Sequence, residues 1–80
     1  MNLTGLIRAY NEAGGIGAVL KEIGSVVPDA EILVVDDAST DGTAEIAAAG
    51  GARVVRHRAN RGYGGALKTG VRAAQGEIVV

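Results

Sequence analysis

Three groups of residues in this 80-residue chain carry side chains suited to chemistry. One is Tyr10-Asn11-Glu12, a second is Asp36-Asp37 followed by Ser39-Thr40-Asp41, and a third runs from His57 to Lys68. Several short patterns near them fail on spacing. Gly15-Ile16-Gly17 opens like a dinucleotide-binding G-x-G-x-x-G turn, but Leu20 holds the sixth position, where glycine would let helix and strand approach. Gly65-Ala66-Leu67-Lys68-Thr69 resembles a phosphate loop, except that Leu67 replaces the glycine before the lysine. Asp37, Ser39, Asp41 and Gly42 copy the first half of a calcium loop, whose twelfth position needs a bidentate glutamate and here is Ala48. Arg53, Arg56, Arg58 and Arg61 make a basic stretch around His57. With a net charge of −1 and only Tyr63 nearby for stacking, it reads as a solvated strand edge and loop rather than a nucleic-acid surface. His57, the only histidine, has no evident nucleophile or metal-ligand partner and reads as a loop residue.

Bulk properties narrow the class. Apolar residues make up 48% of the chain and charged ones 21%, which describes a soluble globular protein and not a disordered tail. The apolar runs fall far short of the roughly 20 residues that span a bilayer. Met1-Asn2-Leu3-Thr4 lacks the basic start of a signal peptide. Without cysteine there is neither a disulfide framework nor a thiolate zinc site, so a cytoplasmic setting is the default. Eighty residues suffice for one small domain, but thirteen glycines and two aromatics give it little to bury, and marginal stability is expected.

The elements that must hold the reactive groups follow from changes of apolar period. Leu3 to Ala9 is a short apolar strand weakened by Gly5. Ile16, Val19, Leu20, Ile23 and Val27 fall on one helical face; with Gly14, Gly15, Gly17 and Gly24 in the stretch, the helix must rely on packing or begin later than Gly15. Glu31 to Val35 is an unbroken apolar run ending in Asp36-Asp37, as expected for a strand buried on both faces of a parallel sheet. Ser39-Thr40-Asp41 supplies caps for a helix through Ala49, closed by Gly50-Gly51. Ala52 to Arg56 is a third strand. A third helix follows with Leu67, Val71 and Ala74 on one face, Gly76 ends it, and Glu77 to Val80 begins a fourth strand. The order βαβαβαβ predicts a Rossmann-like parallel sheet of the α/β class. In such sheets ligands bind beyond the carboxyl ends of the strands, which is where Tyr10-Asn11-Glu12 and Asp36-Asp37 fall.

Three segments in order carry a family resemblance: Ile7-Arg8-Ala9-Tyr10-Asn11-Glu12, then Val34 to Thr43 with its Asp36-Asp37-Ala38-Ser39-Thr40-Asp41-Gly42, then Asn60 to Gly70. Together they resemble the N-terminal region of family 2 glycosyltransferases, nearest to the dolichol- or polyprenyl-phosphate sugar transferases. The resemblance implies residues 1–80 of a GT-A nucleotide-sugar-binding domain, ending in the fourth strand before the D-x-D motif and acceptor half. It implies an enzyme moving a sugar from a UDP- or GDP-sugar to a lipid-phosphate or glycan acceptor, with Mg²⁺ or Mn²⁺ bound by residues outside this chain. No nucleic acid is expected as a partner, and the longer form is expected at the cytoplasmic face of the membrane. Alternatives are a stand-alone nucleotide-binding fragment and a degenerate, non-catalytic remnant. The 80-residue chain alone is expected to be inactive, with no catalytic residue or metal ligand of its own.

By the same resemblance, Ala9, Tyr10, Glu12, Val35 and Asp37 line the nucleotide pocket and Lys68 approaches it. A carboxylate such as Asp37 can accept an N–H from a uracil or guanine edge, a charged hydrogen bond of about 1.5–3 kcal/mol. Tyr10 offers a flat face to a base or ribose, and Glu12 can accept ribose hydroxyls. Asp36 and Asp41 read as structural, holding the loop and capping the next helix. The chain departs from the family at Arg8, where proline is usual, and at Gly5, which interrupts a normally apolar strand.

Overall fold

The computed structural model describes residues 3–74 and the backbone of residues 77–79. Strands and helices alternate as β1 (Leu3–Ala9), α1 (Ile16–Val26), β2 (Glu31–Asp36), α2 (Thr43–Ala49), β3 (Arg53–Arg56), α3 (Gly62–Ala73) and β4 (Glu77–Val79). All pairings are parallel and the strand order is β3-β2-β1-β4. The chain thus winds outward from β1 to β3, then α3 carries it back to the other side of β1. That reversal makes a switch point at the carboxyl end of β1, the place where open sheets of this class leave a crevice.

Alternation along each strand divides the core in two. Ala9 and Val34 join Ile16 and Leu20 of α1 and Ala47 of α2 on one face. Leu6, Leu33 and Val35 join Ala66 of α3 on the other. The unbroken run Leu33-Val34-Val35 is completely buried because helices cover both faces, as its lack of alternation predicts. Helix α1 starts at Ile16, directly after the Gly14-Gly15 pair. Only Ile16 and Leu20 of its apolar face are buried; Val19 remains 43% exposed.

The face of α3 differs from the expected one. Ala66 and Gly70 are its buried residues, with Leu67 partly buried against them, while Val71 is 58% exposed. The physical reason is at Gly70, where the helix lies so near β1 that an added Cβ would overlap the side chain of Leu6. Small residues set this contact, so an apolar stripe of large ones does not mark it. Gly76 and Val80, assigned from the sequence to the helix end and the fourth strand, lie outside the described residues.

Gly70→Ala should therefore cost about 1–3 kcal/mol by overpacking. Gly24→Ala in α1, where an added Cβ meets nothing within 4 Å, should instead stabilise by about 0.5–1 kcal/mol. Urea unfolding of the two variants checks the opposite signs; a neutral Gly70→Ala would mean that α3 does not dock this closely.

Candidate functional site

The pleat that sorts the core also sorts the polar residues at the strand ends. Continuing from Leu6, Val35 and Val55 on the α3 face, the next residues pointing the same way are Arg8, Asp37 and His57. The Asp37 side chain is fully buried and draws five hydrogen bonds. Arg8 Nε and Nη2 donate to Oδ2 at 3.1 and 2.9 Å, and the Gly62 N–H donates to the same oxygen at 2.9 Å. The Arg61 N–H donates to Oδ1 at 2.8 Å, and His57 Nδ1 lies 2.8 Å from it. An ionised carboxylate only accepts, so Nδ1 carries the proton, and His57 Nε2 meets the Thr69 hydroxyl at 2.7 Å. Burial alone would raise the Asp37 pKa. The hydrogen bonds from His57, Arg61 and Arg8, together with the Arg8 charge, outweigh it and hold the carboxyl well below the usual range.

Asp36 points to the opposite face and has separate partners. Its Oδ1 accepts the Ser39 hydroxyl, and its Oδ2 lies 3.1 Å from Arg56 Nε, in charge contact without the alignment of a hydrogen bond. Arg56 also donates from Nη2 to the Ser39 carbonyl, at 3.1 Å. The loop after β1 is latched to the loop after β2 by five side-chain bonds, one of them from the Thr40 hydroxyl to Asn11 Oδ1 at 3.4 Å. Asn11 N donates to Ser39 Oγ, Glu12 N to Thr43 Oγ1 and Ala13 N to Asp41 Oδ2, while Thr40 N donates to Asn11 Oδ1. Asp41 Oδ1 accepts both the N–H and the hydroxyl of Thr43, and these bonds lower its pKa despite partial desolvation. The N-cap of α2 is Gly42, without a side-chain cap, so none of Ser39, Thr40 and Asp41 is the cap residue the sequence suggests; Asp41 lies one residue too early and closes a turn onto Thr43 instead. The latch holds Asn11 and Ala38 at φ of 51° and 67°, in the left-handed region.

The structure brings Ala9, Tyr10, Glu12, Val35 and Asp37 together at the carboxyl ends of β1 and β2. Ala9 and Val35 are buried on opposite faces of the sheet, whereas Tyr10 and Glu12 are exposed. Lys68 is exposed on α3 and makes no hydrogen bond or ion pair among the described residues. Asp37 is at the expected place with different chemistry: its oxygens are occupied by the chain's own donors, and a base could reach them only by displacing Arg8. His57 is not the free loop residue the sequence suggests; it is buried and bridges Asp37 to Thr69. Its partners lie 20 and 12 residues away, so no local pattern could reveal it. Within the basic stretch, Arg56 is an ion-pair partner of Asp36, and Arg53 donates to the Ala73 carbonyl at 2.6 Å. Among the described residues no three His, Asp or Glu side chains are grouped to hold a metal ion. Asp36 and Asp37 do not fit one either, since their oxygens face guanidinium groups, N–H donors and the Ser39 hydroxyl.

Fold and site together define a Rossmann-like open parallel sheet of the GT-A type, with its polar cluster at the strand carboxyl ends. The glycosyl transferase family 2 profile matches residues 6–80, and the chain belongs to that family. The chain is 40% identical over 77 residues to an undecaprenyl-phosphate mannosyltransferase of Micrococcus luteus, covering 90% of this chain and 32% of that one. It superimposes with a TM-score of 0.88 and 32% identity on a mannosyltransferase of Pyrobaculum calidifontis in complex with GDP-Man and Mn²⁺, covering 98% of this chain and 26% of the other. Glucosyl-3-phosphoglycerate synthase of Mycobacterium tuberculosis, in complex with Mn²⁺, UDP and glucosyl-3-phosphoglycerate, gives 0.81 and 31%, covering 98% and 32%. The chain thus spans a third or less of the length of each of these relatives.

The lowered pKa of Asp37 fixes the sign of a pH dependence. Between the folded value and the unfolded one near 3.9, the unfolded chain binds more protons. Stability from this group is complete above about pH 5 and is lost as the pH falls below about 4. Asp37→Asn should cost about 3 kcal/mol at pH 7, where it removes the charge facing Arg8 and turns one of the two accepting oxygens into a donor, and should flatten the acid fall. Urea midpoints at pH 7 and pH 3 check both; an equally steep fall in the variant would assign the acid sensitivity to other carboxylates.

Proposed function

We propose that the chain is the donor-recognising part of a glycosyltransferase that takes a sugar from a UDP- or GDP-linked donor. The observation carrying this reading is the placement of exposed Tyr10 and Glu12 over a rigid polar floor at the β1 switch point. Support also comes from relatives whose structures hold GDP-Man or UDP with Mn²⁺. Tyr10 gives the base or ribose a flat face, Glu12 accepts ribose hydroxyls, and Lys68 approaches the nucleotide from α3. Ala9 and Val35, buried on opposite faces of the sheet, meet the nucleotide through the strand-end backbone rather than as a shared wall. Asp37 acts on the pocket through Arg8 and the start of α3, as a positioning residue.

Residues 1–80 would then be one part of a larger GT-A domain, with the acceptor half and the Mg²⁺ or Mn²⁺ site formed by other residues. The divalent ion would neutralise the leaving diphosphate. A polyprenyl-phosphate acceptor is favoured by the name of the Micrococcus luteus relative, and such an acceptor would put the enzyme at the cytoplasmic face of the membrane.

NMR titration of the chain with GDP and UDP tests the core of this proposal. Amide shifts should cluster at Ala9, Tyr10, Glu12 and the first turn of α3. Tyr10→Ala should weaken binding about ten-fold, the scale of one lost stacking contact, without lowering the urea midpoint. No shifts with millimolar amounts of either nucleotide would refute it.

A further inference from the structure

The Asp37 network uses only half of Arg8. A guanidinium carries five N–H donors in a planar fork. Its Nε and Nη2 both point at Asp37 Oδ2, so that carboxylate occupies the edge these two nitrogens share. The opposite edge, where one N–H of Nη1 runs parallel to the second N–H of Nη2, has no hydrogen-bond partner among the described residues. The side chain is 27% exposed, and its guanidinium carbon lies 5.6 Å from the centroid of the Tyr10 ring. A buried carboxylate on one side and an aromatic ring on the other hold the group in a fixed orientation.

A fixed pair of parallel donors selects ligands with two adjacent acceptors. We propose that Arg8 reads the base of the bound nucleotide and selects guanine, through its neighbouring O6 and N7 atoms. This inference rests on the nucleotide-binding proposal above and names the base. Adenine presents an amino donor beside N7, so one of the two N–H groups would face another donor. Uracil alternates acceptor, donor and acceptor along its pairing edge and has no adjacent acceptor pair. A diphosphate also offers paired oxygens, but the Tyr10 ring beside the guanidinium extends a flat apolar surface that suits a planar base. Asp37 gives no oxygen to the ligand in this arrangement; it orients the arginine that does the recognition.

The test is titration of the full chain with GDP, ADP, UDP and inorganic pyrophosphate, in wild type and in Arg8→Lys. Lysine keeps the charge and can still pair with Asp37, but it has no planar fork. GDP should bind about ten-fold more tightly than ADP or UDP to the wild type, and the preference should collapse in the variant. Circular dichroism checks that Arg8→Lys is folded, and Arg8→Gln is titrated beside it with the same expected loss of preference. Equal affinities for the three nucleotides, or a GDP preference that survives both variants, would overturn the inference and leave nucleotide binding standing. Pyrophosphate binding as tightly as GDP, with the same loss in the variant, would assign the fork to phosphate and also overturn it. Binding of none of the nucleotides would remove the nucleotide proposal itself.

Discussion

A carboxylate buried at the end of an interior strand must be surrounded by donors, because an unpaired charge out of water costs several kcal/mol. Asp37 meets that requirement with donors from β1, from the end of β3 and from the first residues of α3. None of these is its neighbour in sequence, the nearest being His57, 20 residues on. The charge can be satisfied only when the three strands are in register and α3 is docked on their shared face. A small core without an aromatic side chain among the described residues gives little other enforcement of that arrangement. The polar cluster therefore specifies the fold as well as the site.

The surface left for a ligand follows from the same constraint. Donors consume the Asp37 oxygens, so the floor of the crevice is electrostatically complete before anything binds. The latch between the two loops likewise fixes the Tyr10-Asn11-Glu12 backbone through Ser39, Thr43 and Asp41. Tyr10 and Glu12 are the exposed side chains on this framework, with Arg8 partly exposed beside Tyr10. A pocket whose backbone is already held loses little conformational entropy on binding.

Much of the fold was legible because it is local. Leu33-Val34-Val35 announces a doubly covered strand by failing to alternate, and the Gly14-Gly15 pair marks where α1 begins. Tyr10, Glu12 and Asp37 could be picked out because they follow strands directly. Parallel register, however, has no short-range signature, so the meeting of Arg8, Asp37 and His57 on one face could not be read from the chain. The seat of α3 was missed for a related reason. It is defined by the absence of a side chain at Gly70, which apolar periodicity cannot register. Arg8 was visible only as a departure from the family; its pairing with the buried Asp37 gives that departure a physical role.

Native-state hydrogen exchange of the Arg61 and Gly62 amides tests most directly that Asp37 organises the chain. Both residues precede or begin α3, where an ordinary helix start leaves its N–H groups open to water. Bound to a buried carboxylate, they should exchange as slowly as the amides of Leu33 to Val35 in β2. Exchange as fast as that of the exposed loop residues Arg58 and Ala59 would contradict the account.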